Sequence, residues 1–238
     1  EMYRYKRIMI GLDFTPMDNT LIQTASFLAA LLKPEKIYFV NAQETSNKFI
    51  RKGDFPEGIY MTIEDVLNKK PSSTEEVYLK TTDRNDTVNL PEKAFFYFKQ
   101  KNKKVVYPLA ISYQGEMYFQ TYRKYTNKKD KGYDPDQYSR FCKVSNYGRF
   151  IYFEENMRGL WSKALLVNLN PASYSIKGKI KGIVLDLDNR EFNMLRDCED
   201  LNDFFKQHNI PEIQCDSDKL TIGELRTIID EINKPYRE

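Results

Sequence analysis

The sequence predicts an α+β protein: a short N-terminal β-α-β unit joined to a mainly antiparallel, aromatic-rich β domain that ends in two helices. Three observations predict it. Residues 7–41 hold two short apolar runs separated by a stretch of helical spacing. The 17 Tyr and 15 Phe are dense enough to suggest half-buried sheet surfaces, which large amphipathic rings suit. Residues 201–233 then return to helical periodicity.

The elements follow in order. Arg7-Ile-Met-Ile-Gly-Leu-Asp13 is an apolar run of the kind buried in parallel sheets. Thr15, Asp18 and Asn19 supply capping oxygens, and Pro16 suits a helix start. Leu21, Ala25, Leu28, Ala29 and Leu32 recur at helical spacing, and Pro34 stops the helix. Lys36-Ile-Tyr-Phe-Val-Asn41 is the second strand, reached by a right-handed crossover. Residues 44–58 form a polar connector. A short helix is expected before Pro71, with Thr62 and Asp65 at capping-box spacing. Strands are expected at 94–98, 105–113 and 116–122, the last two joined by a Gln114-Gly115 hairpin turn. Residues 140–145 and 149–155 flank Asn146-Tyr-Gly148 and read as a second hairpin. Residues 161–169 read as a strand, and 179–187 with 190–195 as a hairpin turning at Asp188-Asn189. Helices at 201–207 and 221–233 close the pattern, the latter with Ile222, Leu225, Ile228, Ile229 and Ile232 on one face. The expected division is 1–43, a connector at 44–58, and 59–238.

A hydrophobic content of 41% with 30% charged residues excludes general disorder. The net charge of +3 conceals an asymmetry: residues 186–238 hold 14 acidic and 7 basic side chains, a net of −7, against +10 for residues 1–185. Such patterning is chiefly that of solvated surfaces. Cys142, Cys198 and Cys215 are odd in number and lack C-x-x-C spacing, which speaks against a zinc site or a disulfide framework. Cys198 and Cys215 can pair only if their Cα atoms approach within about 7 Å. Buried free thiols are the expectation. No stretch reaches the roughly 18 apolar residues of a membrane span. The run Ile8–Leu12 is too short for a signal-peptide core, so the chain reads as cytoplasmic as written.

Tyr5-Lys-Arg-Ile-Met-Ile-Gly-Leu-Asp-Phe-Thr15, the helix ending Ala-Ser-Phe-Leu-Ala-Ala-Leu-Leu32, and Lys36-Ile-Tyr-Phe-Val40 together resemble the start of a universal stress protein. That resemblance implies an α/β nucleotide-binding fold in which Asp13, Thr15 and Val40 line an adenine pocket. The family's Gly-x-x-Gly phosphate loop has no counterpart, because no two glycines of this chain are three residues apart. The pocket implied is therefore a degenerate one. Pro56-Glu-Gly-Ile-Tyr-Met-Thr-Ile-Glu-Asp-Val-Leu-Asn-Lys-Lys-Pro71, Leu109-Ala-Ile-Ser-Tyr-Gln-Gly-Glu-Met-Tyr-Phe119 and Ile180-Lys-Gly-Ile-Val-Leu-Asp-Leu187 resemble an uncharacterised bacterial domain family. That family implies no activity. It does imply export, if residues 1–43 stand where a leader would. The change of character near residue 43 reads as a join between two unlike segments.

Three constellations bear on chemistry. Ile183-Val-Leu-Asp-Leu-Asp-Asn189 resembles the strand and Asp-x-Asp of haloacid-dehalogenase-like phosphatases, which would make Asp186 a nucleophile and Asp188 an acid/base. Arg190 occupies the motif's Thr or Val position, and Asp188-Asn189 is good hairpin-turn chemistry, so the plain turn is preferred. His208, the one histidine, sits in polar Lys206-Gln-His-Asn209 and reads as a solvated or helix-capping side chain. The Lys99–Lys104 and Arg123–Lys131 clusters, interleaved with Tyr107, Tyr122, Tyr125 and Tyr133, match the charge-plus-ring pattern of single-strand binders. Lysine at hairpin loops and sheet edges explains them more simply.

No residue set completes a catalytic class, and no metal or cofactor is implied. The expectation is a non-enzymatic binding or structural module. A nucleotide-responsive sensor using Asp13, Thr15 and Val40 is one alternative, and a weak single-strand nucleic-acid binder is another. Two strands and one helix cannot bury both faces of their sheet. Ile8, Ile10, Leu12, Ile37 and Phe39 are therefore expected to pack on the larger domain or on a second copy, as a homodimer.

Overall fold

The computed structural model describes residues 7–12, 36–41, 50–81, 90–122, 124–135, 139–158 and 175–236, the first two stretches by their backbone alone. The chain divides into two compact units, Glu1–Asn47 and Lys48–Glu238. In the first, β1 (Arg7–Leu12) pairs with β2 (Lys36–Asn41) in parallel, from Arg7 opposite Lys36 to Leu12 opposite Asn41. The expected crossover helix at 21–32 and the packing of the strands' apolar side chains lie outside the described residues, as does the expected strand at 161–169.

The second unit is mainly antiparallel sheet with three helices among the described residues, which fits an α+β or sheet-rich class. Its strands are β3 (Gly58–Tyr60), β4 (Val77–Lys80), β5 (Lys93–Phe98), β6 (Ala110–Tyr113), β7 (Glu116–Phe119), β8 (Asp134–Pro135), β9 (Phe141–Lys143), β10 (Phe150–Arg158), β11 (Ile180–Asp186) and β12 (Glu191–Leu195). The helices are α1 (Ile63–Leu67), α2 (Cys198–Gln207) and α3 (Ile222–Asn233). Six strands form one sheet in the order β3-β6-β7-β9-β5-β4, and four form another in the order β12-β11-β10-β8.

Alternation along each strand sorts side chains into three apolar layers. Met117 and Phe119 of the larger sheet meet Ile151, Phe153, Ile183, Leu185 and Phe192 of the smaller one between the sheets. Phe119 stacks on Phe153 at 5.9 Å, with Phe192 edge-on to both. The alternate residues Phe150, Tyr152 and Val184 face α2 and α3, against Leu201, Phe204, Phe205, Leu225 and Ile229. The smaller sheet is thus covered on both faces, which is why β11 is buried at all seven positions. Phe96, Ile111, Tyr118 and Phe141 form a third cluster on the far face of the larger sheet. No helix among the described residues is long and apolar enough to cross a membrane.

Local signals set the helix starts. Thr62 and Asp65 form the expected capping box on α1, and Thr221 with Glu224 forms another on α3. Gln114 and Gly115, both at positive φ (50° and 77°), make the two-residue turn between Tyr113 and Glu116.

Several expectations need correction. Residues 105–109 do not extend β6, because Pro108 lacks the N–H a ladder needs and the chain bends there. Asn146-Tyr-Gly148 is not a simple hairpin. β9 pairs with β5 and β7 in one sheet while β10 pairs with β11 in the other, and a single bridge, Asn146 to Tyr152, joins the two stretches. The β11–β12 connection spans residues 187–190 rather than two, with Arg190 at φ 58°. Cys198 and Cys215 are not free thiols: their Cα atoms lie 6.0 Å apart and the sulfurs are bonded. Cys142 is free and buried. Alkylation of the denatured, unreduced protein is expected to label Cys142 alone, and labelling of all three cysteines would contradict the bridge.

Candidate functional site

Of the residues assigned to an adenine pocket, Asp13 and Thr15 lie outside the described residues, and Val40 pairs with Gly11 across β1 and β2.

Asp186 and Asp188 do lie together, but in a setting different from a phosphatase loop. Asp186 ends β11 fully buried. Its Oδ1 accepts from the backbone N–H of Asp188 (2.9 Å) and Asn189 (3.4 Å), and its Oδ2 from the Asn189 side-chain amide (2.6 Å). His208 completes the group, a partner that sequence reasoning missed. It caps α2, as expected, but its side chain is 4% exposed rather than solvated. A signal for this was present, since Leu201, Phe204, Phe205 and His208 stand at i, i+3, i+4 and i+7, the buried face of α2. Phe150 and Phe204 hold its ring, each at 4.8 Å between centroids. Its Nε2 lies 2.9 Å from Asp186 Oδ2. Burial alone would raise the Asp186 pKa, but the adjacent imidazole and the two backbone N–H groups outweigh it and hold the carboxyl below its ordinary value.

Cys142 is not placed for nucleophilic chemistry. Its thiol donates to Glu155 Oε2 (2.9 Å), and burial together with that carboxylate pushes its pKa well above the ordinary thiol value. Beside α2, a cleft of about 400 Å³ is lined by Lys129, Lys181, Arg196 and Asp200 among others. Its charges compensate one another: Arg196 binds Asp200 (2.6 Å), and Lys129 reaches Asp200 and Asp203. Lys181 donates to the Ile176 carbonyl (2.8 Å), and burial lowers its pKa to about 8.

The Lys/Tyr clusters divide in a way the sequence does not show. Lys99 pairs with Glu76, Lys101 with Glu75 and Lys129 with Asp200. Tyr122, Tyr125 and Tyr133 pack against the inter-sheet core, so none of them is a bare platform. Tyr107 differs, being 72% exposed.

Tyr107 stands over a groove of about 380 Å³ bounded by β3 and the β5–β6 connection. Ile59, Phe98 and Val105 line its buried side; Met61, Val106 and Tyr107 line its open side. Two sets of hydrogen bonds brace the connection. Val105 N–H donates to Phe96 O (2.8 Å), and Phe98 N–H to Lys103 O (2.9 Å). The amide of buried Gln120 donates to Val106 O (2.9 Å) and to Pro108 O, clamping the chain on both sides of Tyr107. Lys101, Lys103 and Lys104 rim the groove against one acid, Glu75. Lys103 has no ion-pair partner among the described residues, and Lys104 Nζ lies 3.7 Å from the Phe95 ring centroid.

Compared with protein-family models, curated proteins and solved structures, the chain matches none of them.

Proposed function

We propose that the larger unit is a non-enzymatic binding module whose groove takes an extended peptide carrying an apolar or aromatic anchor flanked by acidic residues. One observation carries the reading. Among the described residues the exposed large apolar side chains are Met61, Val106 and Tyr107, and all three line this one groove. Scattered exposed apolar residues are ordinary, whereas a rimmed cluster of them marks a binding surface. The Gln120 clamp supports the same reading, because an anchor already fixed loses little entropy on binding. The lysine rim supplies the charge preference. A peptide fits better than a nucleic-acid strand, which needs a series of stacking rings along a basic track.

The test is affinity selection of a random dodecapeptide library on the immobilised chain, followed by binding of the enriched peptides in solution. Enriched sequences are expected to combine an aromatic or large aliphatic residue with Asp or Glu. Tyr107→Ser and Lys103→Glu/Lys104→Glu are each expected to weaken binding by about tenfold or more, the range of an interface hot spot. Selection that Tyr107→Ser leaves unchanged would remove the groove from consideration. Preference for an oligonucleotide, with affinity falling steeply in salt, would replace the peptide reading with a nucleic-acid one.

The bridge between Cys198 and Cys215 supports an oxidising compartment, and hence the exported rather than the cytoplasmic location, since structural disulfides seldom persist among cytosolic thiols. Detection of the reduced pair in protein trapped by alkylation at lysis would count against that location.

A further inference from the structure

We propose that Asp186, Asp188 and His208 form a binding site for a first-row divalent cation of the zinc class. One ligand atom from each of the three side chains falls within 4.8 Å of the others. They come from two elements distant in sequence, the β11–β12 turn and the end of α2, so the convergence is a product of the tertiary fold.

The second observation concerns the imidazole. His208 Nε2 is buried and lies at ion-pair distance, 2.9 Å, from Asp186 Oδ2, but its ring N–H does not point along the line between the two atoms. A nitrogen and an oxygen that close, without an aligned N–H between them, are disposed as neighbouring ligands of a shared ion. Two donors each about 2.0–2.1 Å from one metal stand about 2.9 Å apart at an octahedral angle and about 3.3 Å apart at a tetrahedral one, so a small opening of the pair would seat the ion. An ordinary imidazolium–carboxylate pair would aim its N–H along the line between them.

The surroundings fit that use. Phe150 and Phe204 fix the ring, and Asn189 with two backbone N–H groups fixes the Asp186 carboxylate, the kind of outer support that orients ligands. Asp188 stands on the turn with its side chain 37% exposed, which provides an approach from solvent. Its Oδ2 is engaged by Arg149 Nε (2.8 Å) and Nη2 (2.7 Å), leaving Oδ1. The guanidinium therefore opposes the cation, and the site should bind more tightly without it. One imidazole nitrogen and two carboxylates suit zinc, cobalt or manganese better than calcium, which prefers oxygen ligands alone.

The test uses the full chain after chelator treatment, titrated with zinc by calorimetry and with cobalt by visible absorption, alongside thermal melts. One equivalent of zinc should bind with a rise in Tm, and cobalt should develop ligand-field bands. Asp188→Asn, at an exposed turn position that should not disturb folding, should weaken binding about tenfold or more, and His208→Gln should abolish it. Arg149→Gln should tighten it, a change that a merely structural ion pair would not produce. Absence of a Tm rise and of cobalt bands in the unaltered chain would overturn the proposal. Zinc binding that survives both Asp188→Asn and His208→Gln would overturn it equally, by placing the ion elsewhere.

Discussion

Gly148→Ala is expected to destabilise the larger unit by about 3–5 kcal/mol, through overpacking and the loss of two buried hydrogen bonds. A Cβ at this position would fall on the Asn233 side chain, meeting its Oδ1 and Cγ. Asn233 cannot easily give way. It is fully buried at the end of α3, where Oδ1 accepts from Phe150 N–H (3.1 Å) and Nδ2 donates to Phe150 O (2.8 Å). One side chain thus satisfies both backbone groups of the first residue of β10 and joins the last helix to the strand shared by two apolar layers. Moving it would leave buried polar groups without partners, the expensive way to lose a hydrogen bond. Urea denaturation measures the effect. Asn233→Ala should cost a similar amount, and the double variant much less than the sum, because both substitutions remove the same clamp. A loss below about 1 kcal/mol for Gly148→Ala would mean the clamp contributes no more than an average contact.

This clamp also shows where the sequence was legible and where it was not. Features decided within a few residues were readable: the capping box at Thr62, the turn at Gln114-Gly115, and the apolar face of α3. Features decided by distant pairing were not. Gly58–Tyr60 and Val77–Lys80 are too short to show a period of two, and become strands only through β6 and β5. Asn146-Tyr-Gly148 has the composition of a hairpin loop, yet Gly148 is required because Asn233, 85 positions onward, lies against it. The groove was half visible. Its lysines and Tyr107 stood out, but only tertiary packing separates exposed Tyr107 from half-buried Tyr122, Tyr125 and Tyr133. The disulfide shows the same limit, since spacing along the chain says nothing of a 6.0 Å Cα separation.

Arg140→Met is expected to cost about 3–5 kcal/mol, the penalty for stranding a buried charge. Glu155 is 1% exposed on β10, in contact with the guanidinium of Arg140, itself 10% exposed. The carboxylate also accepts from the Asn156 N–H (2.6 Å) and the Cys142 thiol, groups that solvate it without neutralising it. Without the arginine, the charge must stay unpaired in an apolar layer, take up a proton, or draw water into the space between the sheets. Replacing both partners by apolar residues of similar volume removes the charge along with its need for solvation. The double variant Arg140→Met/Glu155→Met should therefore recover most of the loss, and can approach the unaltered chain in stability. Thermal or urea unfolding of the four chains of this cycle gives the coupling directly. If Arg140→Met and the double variant proved equally unstable, the arginine would be contributing through packing of its stem rather than through charge. Recovery in the double variant would instead identify the pair as one that sets which residues face each other between β9 and β10, at little net gain in stability.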